Sequence, residues 1–361
     1  MDLPFSMLVL MLTLIGLVMM FSASYAFSLK EYESASYLFV RQGIFVAIGT
    51  GAMFVVSHMN YQIFRKLAVP LMVAALALLA AVPFIGKDSG GAKRWIDLGF
   101  TTFQPSEIAK LAVIICFSAM AAVFRERMKS FKYGVLPFVA ILGAMSGLLI
   151  LEPHLSGTVL ILGVGAALMF VGGVRWGWFV GLAAIAAPAA WYLATHMEHA
   201  KARIAVWQDP WSDPRDKGLQ AIQSLYAIGS GGLFGLGLGQ SRQKYLYLPE
   251  EHNDFVFAIV CEELGLIGAG LILVLFAALI LRGYWIALHA RDRFGSLLVT
   301  GVTTLLALQT FLNVAVVTNL IPVTGMSMPF FSYGGTALLI QLVEMGIVLS
   351  VSRQIPAAKS G

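Results

Sequence analysis

Apolar residues along this chain come in long runs broken by short polar segments. A bilayer crossing needs about 20 consecutive apolar residues. On that criterion the pattern predicts spans near 4–27, 38–57, 67–85, 106–124, 134–151, 155–172, 175–195, 254–281, 295–320 and 334–352. The last part of the chain is unusual. From Phe294 to Val343 there is no Asp, Glu, Lys or Arg, and Pro322, Gly325, Pro329, Gly334 and Gly335 interrupt the run. That length exceeds one crossing, so an apolar span, a rigid uncharged loop and a second span fit it best. Irregular backbone at membrane depth is tolerated only where protein buries it or it lines a polar cavity. Asn313–Ala337 therefore predicts a cavity at a membrane face. The expected fold class is all-α: a polytopic membrane protein of about ten transmembrane helices, with a long extracytoplasmic loop at 198–253.

Composition agrees: 59% of the 361 residues are hydrophobic and 12% are charged. A soluble chain of this size could not hide so much apolar surface. The net charge of +5 is spread out, and no basic run has interleaved aromatics, which argues against nucleic-acid binding. Cys116 and Cys261 both fall in apolar segments and read as buried free thiols, implying neither a disulfide framework nor a metal site. The first span is a poor signal peptide: its n-region has Asp2 and no Lys or Arg.

Charge orients the spans. With the N-terminus in the cytoplasm, inner loops hold Arg65, Lys66, Arg125, Arg127, Lys129, Lys132, Arg175, Arg282, Arg291, Arg293, Arg353 and Lys359. Short outer loops hold only Lys30, Lys87, Lys93 and Arg94, as the positive-inside rule requires. Both termini are then cytoplasmic. Two outer segments follow, Gly86–Glu107 and the loop at 198–253, in which residues from Asp216 to Gly229 predict a short amphipathic helix on the membrane surface. The glycine-rich run Gly229–Gly239 lacks the GK[ST] ending of a phosphate-binding loop and reads as a turn or a close helix approach.

Ionisable residues inside spans are functional candidates. Glu107 and Lys110 share a helix face, as a structural ion pair or as part of a site; Ser106 is a candidate cap. Glu152 and His154 flank Pro153 between two spans, either in a solvated loop or as functional groups. Asp254 opens the eighth span: either a helix cap, or a carboxylate at the outer face beside Glu250, Glu251 and His252, with the raised pKa of a general base. Of Glu262 and Glu263, at least one should face the bundle interior. Arg94, Arg203, Arg242 and Lys244 are outer-face cations, either contacting lipid headgroups or jointly holding a diphosphate.

Four blocks carry a resemblance: AKRW at Ala92–Trp95, QPSEIAK at Gln104–Lys110, LPEEHNDFVFAIVCEELG at Leu248–Gly265 and PVTGMSMPFFSYGGT at Pro322–Thr336. In these blocks and across the whole chain, 1–361, the sequence resembles the SEDS family (shape, elongation, division and sporulation; FtsW, RodA, SpoVE). SRQKYLYLPEEHNDFVFA is more similar to the FtsW and SpoVE type. Two positions depart from the family pattern. Asn319 stands where Gly is usual, and Glu152-Pro153-His154-Leu155-Ser156-Gly157-Thr158 replaces Gln-Pro-Asp-Leu-Gly-Thr.

The resemblance implies a peptidoglycan glycosyltransferase of the bacterial cytoplasmic membrane. It would polymerise lipid II and work with a class B penicillin-binding protein. Asp254 matches the family's essential acid and is the expected base. Arg94, Lys110, Arg203, Arg242 and Lys244 are expected at the diphosphate, with Glu107 holding Lys110. Ser332 and Thr336 are expected to supply hydrogen bonds. Glu152 is a candidate second acid, and Mg²⁺ or Mn²⁺ would bridge Asp254 and phosphate. Competing readings are a flippase for a lipid-linked cell-wall precursor, or a non-catalytic scaffold for the penicillin-binding protein. An inverted-repeat transporter is disfavoured because no internal repeat is visible.

Overall fold

The computed structural model describes residues 1–89, 92–99, 101–196, 204–216 and 218–355. Its helices are α1 (Leu3–Tyr32), α2 (Tyr37–His58), α3 (Gln62–Ile85), α4 (Pro105–Phe124), α5 (Leu136–Leu151), α6 (Leu155–Val171), α7 (Trp176–His196), α8 (Leu219–Gly231), α9 (Val256–Leu288), α10 (Arg293–Val317) and α11 (Gly335–Arg353). Among the described residues, α1 to α4, the continuous helical segment Phe131–Leu151 that contains α5, and α9, α10 and α11 are long and apolar enough to cross a bilayer. The 17-residue α6 and the 21-residue α7 fill the two other positions where spans were expected. The all-α polytopic fold is the one the hydropathy predicts. Cys116 and Cys261 are free and buried.

Side-chain caps set several helix ends. Asp2 caps α1 by accepting from the Phe5 amide at 3.0 Å. Arg282 near the end of α9 grips the same carboxylate through Nε at 3.0 Å and Nη2 at 2.7 Å. The Asp2 amide donates to Ser352 Oγ at 3.0 Å, which brings the chain start and the end of α11 to one end of the bundle. Asp292 caps α10 at that end and accepts from the Tyr61 hydroxyl at 2.7 Å. The proton it receives helps hold Tyr61 at about 12, after burial as the larger cause.

The opposite end differs from a plain loop. Residues expected to form an outer connection build a small antiparallel sheet, β1 (Lys87–Ser89), β2 (Ala92–Asp97) and β3 (Thr102–Phe103), in that order. Lys87 pairs with Trp95 and Ile96 with Phe103. Ser106 does not cap α4. Gln104 holds that position, and Ser106 lies buried in the first turn after Pro105.

The stretch between α10 and α11 has no regular structure, as its prolines and glycines predict. It runs deep: a Cβ at Gly16, midway along α1, would collide with the Phe330 carbonyl. Side chains satisfy its backbone. Gln42 donates to the Ser332 carbonyl at 3.3 Å and accepts from the Gly334 amide at 3.3 Å. Gln341 accepts from the Phe330 amide at 2.9 Å. Asn319, where the family has Gly, adopts φ +56°, a left-handed conformation that Asn tolerates better than most residues.

The eighth span is not one helix. Gly265 has φ +67° and ψ −173°, which breaks α9. The glycine-rich run seals the break, so the close-approach reading of that run holds. Helix α8, the expected amphipathic helix, packs on α9 with Ala221, Ile222 and Ala227 buried, and Ser224 donates to the Val317 carbonyl at 2.7 Å.

Candidate functional site

The site forms where the ends of α4, α5, α9 and α11 meet the sheet and the α10–α11 stretch. Asp254 is half-buried one residue before Phe255, the actual N-cap of α9, which has no side-chain cap bond. The helix-cap reading of Asp254 is therefore set aside. Its backbone is pinned from the wall: Asn313 Nδ2 donates to the Asp254 carbonyl at 2.8 Å and also to the Met326 carbonyl. Ser332 Oγ donates to the Asn253 carbonyl at 2.7 Å, and the Tyr333 amide donates to the His252 carbonyl at 2.8 Å. Gly325, at φ +71°, lets the wall approach; a Cβ there would stand 3.1 Å from Asp254 Oδ2. Burial, then the Glu250 carboxylate, pushes the Asp254 carboxyl up to about 6, while Arg94 and His252 pull it back. His252 is itself buried, with its ring 4.4 Å from that of Phe27.

Arg94 reaches across from β2. Its Nε donates to the Glu152 carbonyl at 3.3 Å and its Nη2 to the Pro153 carbonyl at 2.7 Å, clamping the α5–α6 turn. It lies within electrostatic reach of Asp254, Glu152 and His154. Glu152 and His154 are buried, so the solvated-loop reading gives way. Burial pushes Glu152 up to about 7 against the pull of Arg94. Burial first, then Arg94 and Lys110, hold His154 down at about 3, so its imidazole is neutral at pH 7. Gln104 Nε2 lies 3.3 Å from His154 Nε2.

Lys110 and Glu107 pair at 2.8 Å, with Lys110 only 4% exposed. Glu344, nine residues into α11 and also buried, lies within electrostatic reach of both. Sequence reading overlooked Glu344 because it falls just past the uncharged run. The rule applied to Glu262 and Glu263, that an acid inside a span is a candidate, would have found it.

Several expected site residues sit elsewhere. Lys244 is not an outer-face cation: it is buried, with Nζ 3.1 Å from Glu263 Oε1, 3.1 Å from Ser22 Oγ and 2.6 Å from the Gly239 carbonyl. Those three partners take all three ammonium donors, so Lys244 has none to spare for a substrate. Glu262 and Glu263 both face inward, both 1% exposed. Glu263 accepts from the Gly239 and Ser241 amides; Glu262 accepts from the Arg242 and Gln243 amides and the Ser241 hydroxyl. Ser332 is also engaged, since its hydroxyl accepts from the Met328 amide at 2.7 Å while donating to Asn253; it fastens the wall to the Asp254 segment. Thr336 Oγ1 donates to the Thr102 carbonyl at 3.0 Å. Arg242 is exposed beside an open depression shared with Gln243, Tyr245 and Tyr247. Arg203 lies outside the described residues.

An acid poised near neutrality, an arginine facing it, and a buried lysine beside two acids stand at one end of a membrane bundle. The family model for the FtsW, RodA and SpoVE cell cycle proteins matches residues 3–356. The chain belongs to that family. A Geobacter sulfurreducens protein named a probable peptidoglycan glycosyltransferase FtsW is 39% identical over 360 residues, covering 99% of this chain and 96% of its own. Stage V sporulation protein E of Bacillus subtilis is 40% identical over 354 residues, 98% of this chain and 97% of its own. RodA of Thermus thermophilus superposes with a TM-score of 0.73 at 28% identity, over 99% of this chain and 98% of its own. A chain from a structure described as a peptidoglycan synthase complex that coordinates polymerization and crosslinking gives 0.80 at 28% identity, over 98% and 97%. Similarity to FtsW, SpoVE and RodA thus spans the whole bundle.

Proposed function

We infer that this chain is a peptidoglycan glycosyltransferase that polymerises lipid II at the outer face of the cytoplasmic membrane. The observation that carries the mechanism is Asp254, pinned by Asn313 against the irregular wall and facing Arg94. The 4-hydroxyl of an acceptor GlcNAc attacks C1 of a donor MurNAc. The O4–C1 bond forms as the C1–O bond to diphosphate breaks, and the α-linked donor becomes a β-1,4 product. Asp254 takes the hydroxyl proton. A carboxyl at about 6 is mostly ionised at pH 7 yet more basic than an ordinary aspartate, which suits a general base. Undecaprenyl diphosphate departs with developing negative charge. Arg94, and Lys110 held by Glu107, supply the opposing charge in a site of low polarity. Arg242, exposed beside the depression it shares with Gln243, Tyr245 and Tyr247, would meet the lipid-linked diphosphate.

A hard divalent ion fits Asp254 in part. Among the described residues no cluster of three metal-ligating side chains exists. Mg²⁺ or Mn²⁺ would thus rest on one carboxylate, with phosphate oxygens and water as its other ligands, a usual Mg²⁺ arrangement. Such an ion would neutralise charge on the departing diphosphate.

The partner is a class B penicillin-binding protein that crosslinks the new strand; the likeness to a chain of a polymerizing and crosslinking complex supports this. Both termini would be cytoplasmic on the positive-inside argument, and the meeting of the chain start with the end of α11 supports putting them on one side. The test combines purified protein, partner and lipid II. Asp254→Asn and Asp254→Ala should form no glycan strands on a gel. Near-normal polymer from both would refute the base assignment, and transfer of labelled lipid II between leaflets without polymer would point to a flippase.

A further inference from the structure

Much of the 198–253 connection is far less polar than an aqueous loop requires. From Gly218 to Ser241 there is no Asp, Glu, Lys or Arg. This stretch comprises α8 and the glycine-rich run after it, and the run enters the break in α9. An unbroken helix would join the Leu266 amide to the Glu262 carbonyl and the Ile267 amide to the Glu263 carbonyl. Here the Leu236 amide donates to the Glu262 carbonyl at 3.0 Å and the Gly237 amide to the Glu263 carbonyl at 3.0 Å. The Leu266 amide donates to the Gly232 carbonyl at 2.9 Å and the Ile267 amide to the Leu233 carbonyl at 3.1 Å. Two helix bonds are thus replaced by four bonds to the inserted backbone. The insertion depends on glycine: a Cβ at Gly235 would meet the Glu263 carbonyl, and one at Gly265 would meet the Gly235 amide.

Water could have satisfied those four groups at an aqueous surface. Complete repair by protein backbone is what a break within lipid demands. The outward face of the run points the same way. Leu233 is 59% exposed, Phe234 81% and Leu238 55%. They adjoin Leu266 and Ile267, and the same exposed apolar face continues down α9 through Leu271 and Val274. A contiguous apolar patch of this kind needs a cover, and continuity with a spanning helix identifies the acyl chains of the outer leaflet. We propose that Gly232–Leu238 is a re-entrant membrane element, inserted among the lipid acyl chains with Phe234 at its tip.

The far side of the same element is polar and fixed. Glu262 and Glu263 hold the Gly239, Ser241, Arg242 and Gln243 amides. Lipid on one face and two buried carboxylates on the other therefore set the height at which Arg242 stands above the membrane. This inference does not depend on the glycosyltransferase reading, because its test measures lipid contact and not activity.

The experiment places single cysteines at Phe234→Cys, Leu238→Cys, Leu271→Cys as the spanning reference and Arg215→Cys as the aqueous one. Cys116 and Cys261 are buried and serve as background. The purified chain is reconstituted without partner in phosphatidylcholine–phosphatidylglycerol vesicles. Labelling by a membrane-impermeant maleimide should be about tenfold slower at 234 and 238 than at 215, as backbone and side chains shielded by hydrocarbon require. A fluorophore placed at 234 after detergent labelling should be quenched by acyl-brominated lipid, as at 271, and not by aqueous iodide. Iodide quenching without bromolipid quenching would overturn the proposal. So would bromolipid quenching that appears only on addition of a partner protein, which would make the patch a protein-docking face. The unchanged melting temperature of each labelled variant in detergent identifies a folded protein; a variant that melts early is replaced by Leu233→Cys, read in the same way.

Discussion

Asp254→Asn should make the folded protein more stable while abolishing polymerisation. Burial raises the folded carboxyl from 3.8 to about 6. Between those values the folded chain binds more protons than the unfolded one, so stability falls as pH rises through the window. Above pH 6 the full cost is present. At 1.36 kcal/mol per pKa unit, and discounted for the partial exposure of the side chain, it comes to ~2–3 kcal/mol. Asparagine has the same shape and no charge to desolvate. Thermal unfolding in detergent should therefore show Asp254→Asn melting a few degrees above wild type at pH 8, with the gap closing towards pH 4. Activity should run the other way: wild-type polymerisation should rise with pH through about 6, as the base ionises. Equal melting temperatures at pH 8, or a gap that persists at pH 4, would refute the claim that this carboxyl is desolvated. The site is kept at a cost to stability, a common feature of catalytic groups.

Other perturbations separate charge from packing. Lys110→Met leaves Glu107 without its counter-charge and should cost ~3–5 kcal/mol of stability as well as activity. Adding Glu107→Gln should restore much of the stability and none of the activity; glycan gels and melting curves on the two variants decide it. Gly265→Ala puts a Cβ on the Gly235 amide at φ +67° and should lower the melting temperature sharply, by ~2–4 kcal/mol. Gly270→Ala, with open space around it on the same helix, should be neutral or slightly stabilising.

The spans were legible because an apolar run of sufficient length has few alternatives to crossing the bilayer. The wall between α10 and α11 was legible too, since five prolines and glycines in an uncharged run cannot continue a helix. Arg94, Glu107, Lys110 and Asp254 stood out as charges close to lipid, and the structure gathers them at one end of the bundle. The break in α9 was invisible. CEELGLIGAG reads as helix, and only the Gly232–Gly237 backbone arriving from elsewhere makes Gly265 a break. The sheet at Lys87–Phe103 was hidden for a related reason, because its strands of three, six and two residues carry little pattern. The departure at His154 was visible, but its neutrality follows from burial, which a sequence does not display.

By itself, the sequence determined which segments cross the membrane, which carry charge and where the backbone must be irregular. These are local consequences of hydropathy and of proline and glycine geometry. Only the tertiary structure decided what each charge is used for. Lys244 and Lys110 are both lysines beside acids, but one is locked between Glu263, Ser22 and the Gly239 carbonyl, and the other pairs with Glu107 within electrostatic reach of Glu344. That choice depends on which helices meet, because a buried charge is governed by partners brought together from distant parts of the chain.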